Sequence, residues 1–233
     1  MKNALLKHLA TLLLLCLPLA LEAQGDLYTK SARLADFPQK STKIVLSGQA
    51  VTDAVLREEI TSRWRISPYE FCTTEEFDEL RGSQRFYFLH IESDDEFTWL
   101  HLTKGGPTTG NPLRTAMEVV SVPIASADDI NADELVFLPA FIDIIQEYLL
   151  QAIVSDKVSY RGLRGIVSKD KKGKHVCNDA QQGRELFLSG APNTIVPVVV
   201  WGTPVGKHRH YWRMRISTDQ HLLYEYKRKK VRL

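Results

Sequence analysis

Apolar positions change their spacing several times along this chain, and each change marks an element. Residues 43–47 (KIVLS) form a short apolar run closed by Gly48, which reads as a buried strand. Val51, Val55, Ile60 and Trp64 then recur near helical spacing among Thr52, Asp53, Glu58, Glu59 and Arg63. That pattern predicts an amphipathic helix of about four turns. Ser67-Pro68 interrupts it, because the residue before proline avoids the helical region. Residues 69–72 read as the next strand. Thr73 and Glu76 stand at capping-box spacing ahead of Phe77 and Leu80, and Gly82 fits a helix stop. Residues 85–92 (RFYFLHIE), aromatic and β-branched, are the clearest strand.

Residues 43–92 therefore read β-α-β-α-β. Strands separated by helices favour a parallel or mixed sheet with helices over it. Residues 96–103 and 117–124 predict two further strands around the turn-rich loop 104–112. Pro123 places the second strand at an edge or at its own end. Pro139 suits the first turn of a helix over residues 140–154, apolar on most of its girth and so the most buried helix. Its polar stripe, Asp143 and Glu147, reads as a solvated side. Residues 155–191 are less patterned, with a basic turn (KDKKGK, 169–174) and a short helix over 179–188. Residues 194–201 (TIVPVVVW) are strand-like, and Pro197 again implies an edge or a bulge.

Residues 211–216 and 221–226 flank the polar loop Ser217-Thr218-Asp219-Gln220 and predict a hairpin. With the turn at Thr218-Asp219, Ile216 faces His221, Met214 faces Leu223 and Trp212 faces Glu225. Side-chain alternation then puts Trp212, Met214, Ile216 and Leu223 on the core side. Tyr211, Arg213, Arg215, Leu222, Tyr224 and Tyr226 fall on the other side, an aromatic and arginine face.

The expected fold class is α/β or α+β. It comprises a mixed sheet begun by the β-α-β-α-β unit, one long buried helix near 140–154, and a C-terminal antiparallel hairpin. The expected partition is a signal peptide (1–23), a polar lead-in arm (24–42), an α/β core (43–155) and a β-rich part (156–233) packed on the same core. The signal-peptide reading rests on Lys2 and Lys7 ahead of a thirteen-residue apolar run (LATLLLLCLPLAL, 9–21), with small Ala20 and Ala23 at the cleavage region. The run is short for a membrane span, and no second stretch reaches spanning length. The expected location is the periplasm or the extracellular space.

Export permits a disulfide between Cys72 and Cys177, although two structural thiols are the simpler reading. Cys72 precedes a helix start, where a thiol can be acidified. The net charge of +2 identifies no partner, but its distribution is uneven. Residues 201–233 hold nine Lys/Arg against two acids, whereas residues 24–200 hold nineteen against twenty-five. Such asymmetry points to an anionic partner or to two matching surfaces.

Chemistry is sparse. The turn Ser47-Gly48-Gln49-Ala50 has a single glycine and matches neither a dinucleotide fingerprint nor a phosphate loop. Neither Ser47 nor Ser189 lies in a nucleophile elbow. His208 and His210 share a strand face, but His221 lies about 20 Å along the hairpin, and His90 and His101 have no ligand spacing. No metal or cofactor is expected. The expectation is a non-catalytic binding or envelope-accessory protein acting through Tyr211, Arg213, Arg215, Tyr224 and Tyr226. Its partner would be an anionic envelope polymer, a lipid headgroup or an acidic protein surface; nucleic acid suits the chemistry but not the compartment. The alternative is an exported hydrolase with its site in the α/β core.

Overall fold

The computed structural model describes residues 29–106, 116–128 and 134–233. The signal-peptide reading and most of loop 104–112 lie outside the described residues. The fold is mixed α/β, built on two sheets. In the first, strands β1 (Ser41–Val45), β2 (Tyr69–Cys72), β3 (Phe86–Ser93), β4 (Phe97–Gly105) and β5 (Ala116–Ser126) stand in the order β2-β1-β3-β4-β5. β1 is parallel to both β2 and β3, and β3-β4-β5 is an antiparallel meander. Pro123 is accommodated because β5 is the last strand of this sheet.

Preceding β1, helix α1 (Lys30–Leu34) and a 3₁₀ turn (Phe37–Gln39) replace the expected arm. Leu34 and Phe37 are fully buried, so this segment belongs to the core. Helix α2 (Ala50–Arg63) links β1 to β2, and α3 (Thr74–Leu80) links β2 to β3. The two crossovers run in opposite directions across the sheet, so connections of the usual hand place their helices on opposite faces. Accordingly, α2 contributes to the main core and Phe77 of α3 to a small cluster around Val45, Cys72 and Phe88. The α2 stripe is Thr52, Leu56 and Ile60, an i, i+4, i+8 row, whereas Val51 is 61% exposed. The capping box forms: Thr73 Oγ1 accepts from the Glu76 amide at 3.3 Å, and Glu76 accepts from the Thr73 amide at 2.9 Å.

Helix α4 (Leu138–Ala152) has Pro139 in its first turn and buries nine side chains. The segment Leu135–Ala152 is long and apolar enough to cross a membrane by length and composition. Here it fills the core beneath the first sheet. The helix ends two residues before the expected boundary, and Val154 is 81% exposed. Helices α5 (Asp156–Arg161) and α6 (Ala180–Leu188) follow.

The second sheet has the order β6-β7-β8-β9, from β6 (His175–Val176), β7 (Thr194–Trp201), β8 (His208–Ser217) and β9 (Leu223–Arg232). β6 pairs only with Thr194 and Ile195, so among the described residues β7 has no strand partner on that side from Val196 onward, and Pro197 displaces no ladder bond there. One apolar cluster spans both sheets, joining Leu89, Leu100 and Leu102 to Val196, Val198, Met214 and Leu223.

Candidate anionic-ligand surface

The hairpin exists, but with another register. Ile216 pairs with Leu223, a bulge follows at Tyr224, and then Arg215 pairs with Glu225, Met214 with Tyr226 and Trp212 with Arg228. The turn is longer than a local reading suggests because it is held from outside. The Thr218 amide donates to Thr194 O at 2.9 Å, and Asp219 accepts from the Asn193 amide at 3.0 Å. Ile216 and Leu223 thereby both point into the core.

The change of register redistributes the five proposed site residues. Tyr211, Arg213 and Arg215 remain on the outer face. Tyr226 moves to the core side, its ring 4.5 Å from Trp212 and its hydroxyl donating to Ser121 O at 3.3 Å. Burial raises its pKa above the ordinary tyrosine range. Tyr224 is buried, at 6% exposure. Neither tyrosine belongs to an outer platform.

The outer arginines are not free. Glu225 stands opposite Arg215 and accepts from Arg213 Nε and Nη2 at 2.9 and 2.6 Å. Arg215 Nε is 3.3 Å and Lys227 Nζ 3.5 Å from the same carboxylate. Burial pushes the Glu225 pKa up, but the hydrogen bonds and charge of Arg213, with Lys227 and Arg215, hold it below the usual carboxylate range. Arg215 also donates to Asn178 Oδ1 at 2.8 Å.

Further along the same face lies an aromatic platform missing from the sequence reading. Trp201, the last residue of β7, pairs with Tyr211 across the ladder, ring centroids 4.6 Å apart. It is 39% exposed, and the Arg209 guanidinium lies 5.1 Å from its ring. Arg209 is anchored by a 2.8 Å hydrogen bond from Nε to Gly202 O. Lys229 pairs with Tyr211 from the other side. Strand parity was the available signal: a tryptophan two steps from Val199 and four from Pro197 shares their face.

β9 is the edge of its sheet, and Lys227, Arg228, Lys229 and Lys230 are all exposed. Arg228 is tied to Glu96 at 2.7 Å, and His210 meets the same carboxylate at 2.6 Å. Among the described residues, Lys229, Lys230 and Arg232 form no ion pair.

Other sequence candidates settle into structural roles. His90 and His101 face each other across β3 and β4 and stack at 5.3 Å, with Phe77 5.0 Å from His90. Burial, then the neighbouring His101, lowers the His90 pKa to about 3. No group of three or more His, Cys, Asp or Glu gathers as a metal site among the described residues. Cys72 and Cys177 are separate buried thiols. Burial raises the Cys72 pKa to about 11, with Glu76 adding to it, and this outweighs any acidifying effect of the following helix. Asp143 is not a solvated stripe: it bonds Arg63 at 3.0 Å and His221 at 2.6 Å. No family model, curated protein or solved structure matches this chain.

Proposed function

We propose that this is an exported, non-catalytic binding protein that holds an anionic polymer of the cell envelope across the outer face of β7-β8-β9. The observation that carries the reading is the partly exposed, tilted Trp201–Tyr211 ring pair beside Arg209 and Lys229. An open aromatic face supplies an apolar platform for a sugar ring, and cations set around it take the ring's acidic substituents. Exposed lysines continue this chemistry along β9, ten residues long, or about 33 Å at the usual rise per residue. An acidic polysaccharide meets both demands at once; a lipid headgroup or an acidic protein uses only the charge.

A lysine-rich edge strand also discourages sheet-to-sheet association, and that purpose alone accounts for exposed lysines. It does not account for the aromatic platform. The test is retention of the mature protein on immobilised polygalacturonate across a salt series, with neutral dextran and anionic phosphatidylglycerol vesicles in parallel. The expected result is salt-sensitive retention on polygalacturonate that Trp201→Ala and Lys227→Gln/Lys229→Gln each weaken. Retention indifferent to Trp201 but equal on vesicles would replace the polymer with a headgroup. No retention on either would overturn the reading.

A further inference from the structure

At the other end of the hairpin, the β8–β9 turn places a histidine in an uncommon conformation. His221 has φ 52°. Histidine enters the left-handed region more readily than most residues, but the conformation is disfavoured unless the surroundings hold it. Here the His221 amide donates to Ser217 O at 3.1 Å, and Leu222 N donates to Ser217 Oγ at 2.9 Å. The result turns the imidazole away from the hairpin and onto α4, where Nδ1 lies 2.6 Å from Asp143 Oδ2.

A chain of charged groups stands behind that contact. Arg63 Nη1 donates to the same Asp143 oxygen at 3.0 Å, and Arg63 Nε to Glu59 at 2.7 Å. Gln146 Nε2 donates to Asp143 Oδ1 at 3.5 Å. An ionised carboxylate only accepts, so Nδ1 carries the proton and Nε2 of a neutral ring is left as an acceptor. Nε2 hydrogen-bonds to none of the described residues, which makes it an open acceptor rather than half of a nucleophile–base pair.

His221, Arg63 and Glu59 line a groove of about 470 Å³, within the range of small-molecule sites. Its other walls are mainly apolar, from Val55, Leu135, Val136, Pro139, Phe187 and Leu188, with Thr218 and Gly190 at the hairpin side. The Phe187 ring backs the imidazole at 5.4 Å. Two carboxylates, Glu59 and Asp143, stand at or behind this groove against one guanidinium, Arg63, so it disfavours an anion, the opposite of the hairpin face. Its walls accept a hydrocarbon body, and its one open ring nitrogen accepts a donor. An acidic hydroxyl fits best, because a proton drawn toward Nε2 is stabilised by Asp143.

We propose that this groove is a binding site for a neutral, largely apolar molecule carrying one acidic hydroxyl, of the phenol class, whose O–H donates to His221 Nε2. The simpler role for His221, tying the turn to α4, is separable. His221→Asn keeps a residue at ease with positive φ and an N–H able to reach Asp143, while removing Nε2. The test is calorimetric titration of 4-butylphenol into the mature protein, with butylbenzene and 4-butylbenzoate as comparisons. The expected result is saturable phenol binding at least about ten-fold tighter than either comparison, falling about ten-fold in His221→Asn, the scale of one buried hydrogen bond. A ¹⁵N shift of His221 Nε2 on adding 4-butylphenol to the wild type is expected too, and it does not depend on the variant folding. No saturable binding, equal affinity for butylbenzene, an unshifted Nε2 or full affinity in a folded His221→Asn would each overturn the assignment, leaving the polymer-binding proposal untouched.

Discussion

Glu225→Gln separates the stability of the hairpin from its affinity for anions. The carboxylate is 11% exposed and accepts two hydrogen bonds from Arg213, with Arg215 and Lys227 within 3.5 Å. Arg213 and Lys227 are 39% and 60% exposed, so water screens their share. Each such pair contributes no more than about 1 kcal/mol. Arg215, 19% exposed, is less screened, and glutamine keeps one acceptor oxygen. The expected loss is about 1–2 kcal/mol in urea unfolding at pH 7, from the range for exposed pairs and charge-assisted hydrogen bonds. Because the folded-state pKa is lowered, this stabilisation is present above the unfolded carboxylate pKa and disappears as pH falls through the folded value. Wild type and variant should therefore converge in stability in strong acid. Binding should move the other way. The substitution adds one net positive charge and releases Arg213 and Arg215 on the proposed face. One more cation beside an anionic surface is worth about 1 kcal/mol, or roughly five-fold in affinity for polygalacturonate at low salt. A variant that is less stable and also binds equally or more weakly would refute the placement of the ligand on this face.

Three further outcomes are expected. Gly183→Ala in α6 should lower the unfolding midpoint: the helix gains about 1 kcal/mol, but the new Cβ would sit 2.9 Å from Pro197 Cδ and 3.3 Å from Val196 Cβ, and overpacking costs about 1–3 kcal/mol; a higher midpoint would show that α6 can shift off β7. Tyr224→Ala should destabilise by about 3–5 kcal/mol, as truncation of a buried aromatic does, and Tyr211→Ala by clearly less, since Tyr211 is only partly covered; equal losses by urea unfolding would return Tyr224 to the surface. Native Cys72, with its thiol near pKa 11, should resist an aromatic disulfide reagent at pH 8 and react at once in denaturant; fast native labelling would contradict its burial.

Local pattern alone determined much of this fold. The β-α-β-α-β order, the Thr73–Glu76 cap, the buried helix after Pro139 and the edge positions of Pro123 and Pro197 all follow from periods and backbone chemistry that act within a few residues. What local pattern does not carry is the choice between two hairpin registers, the observed one having a turn two residues longer and then a one-residue bulge. Both registers alternate correctly, and only contacts distant in sequence decide between them. Here Thr194, Asn193 and Ala191 grip the turn, and Ser121 and Trp212 receive Tyr226. That choice moved Tyr224 and Tyr226 inward, set Glu225 between the arginines and left Trp201 as an exposed aromatic on the hairpin face. The same holds for Asp143: on its helix it is one polar position among apolar ones. It became the meeting point of Arg63 and His221 only when α2 and the hairpin turn, eighty and seventy-eight residues away, packed against α4.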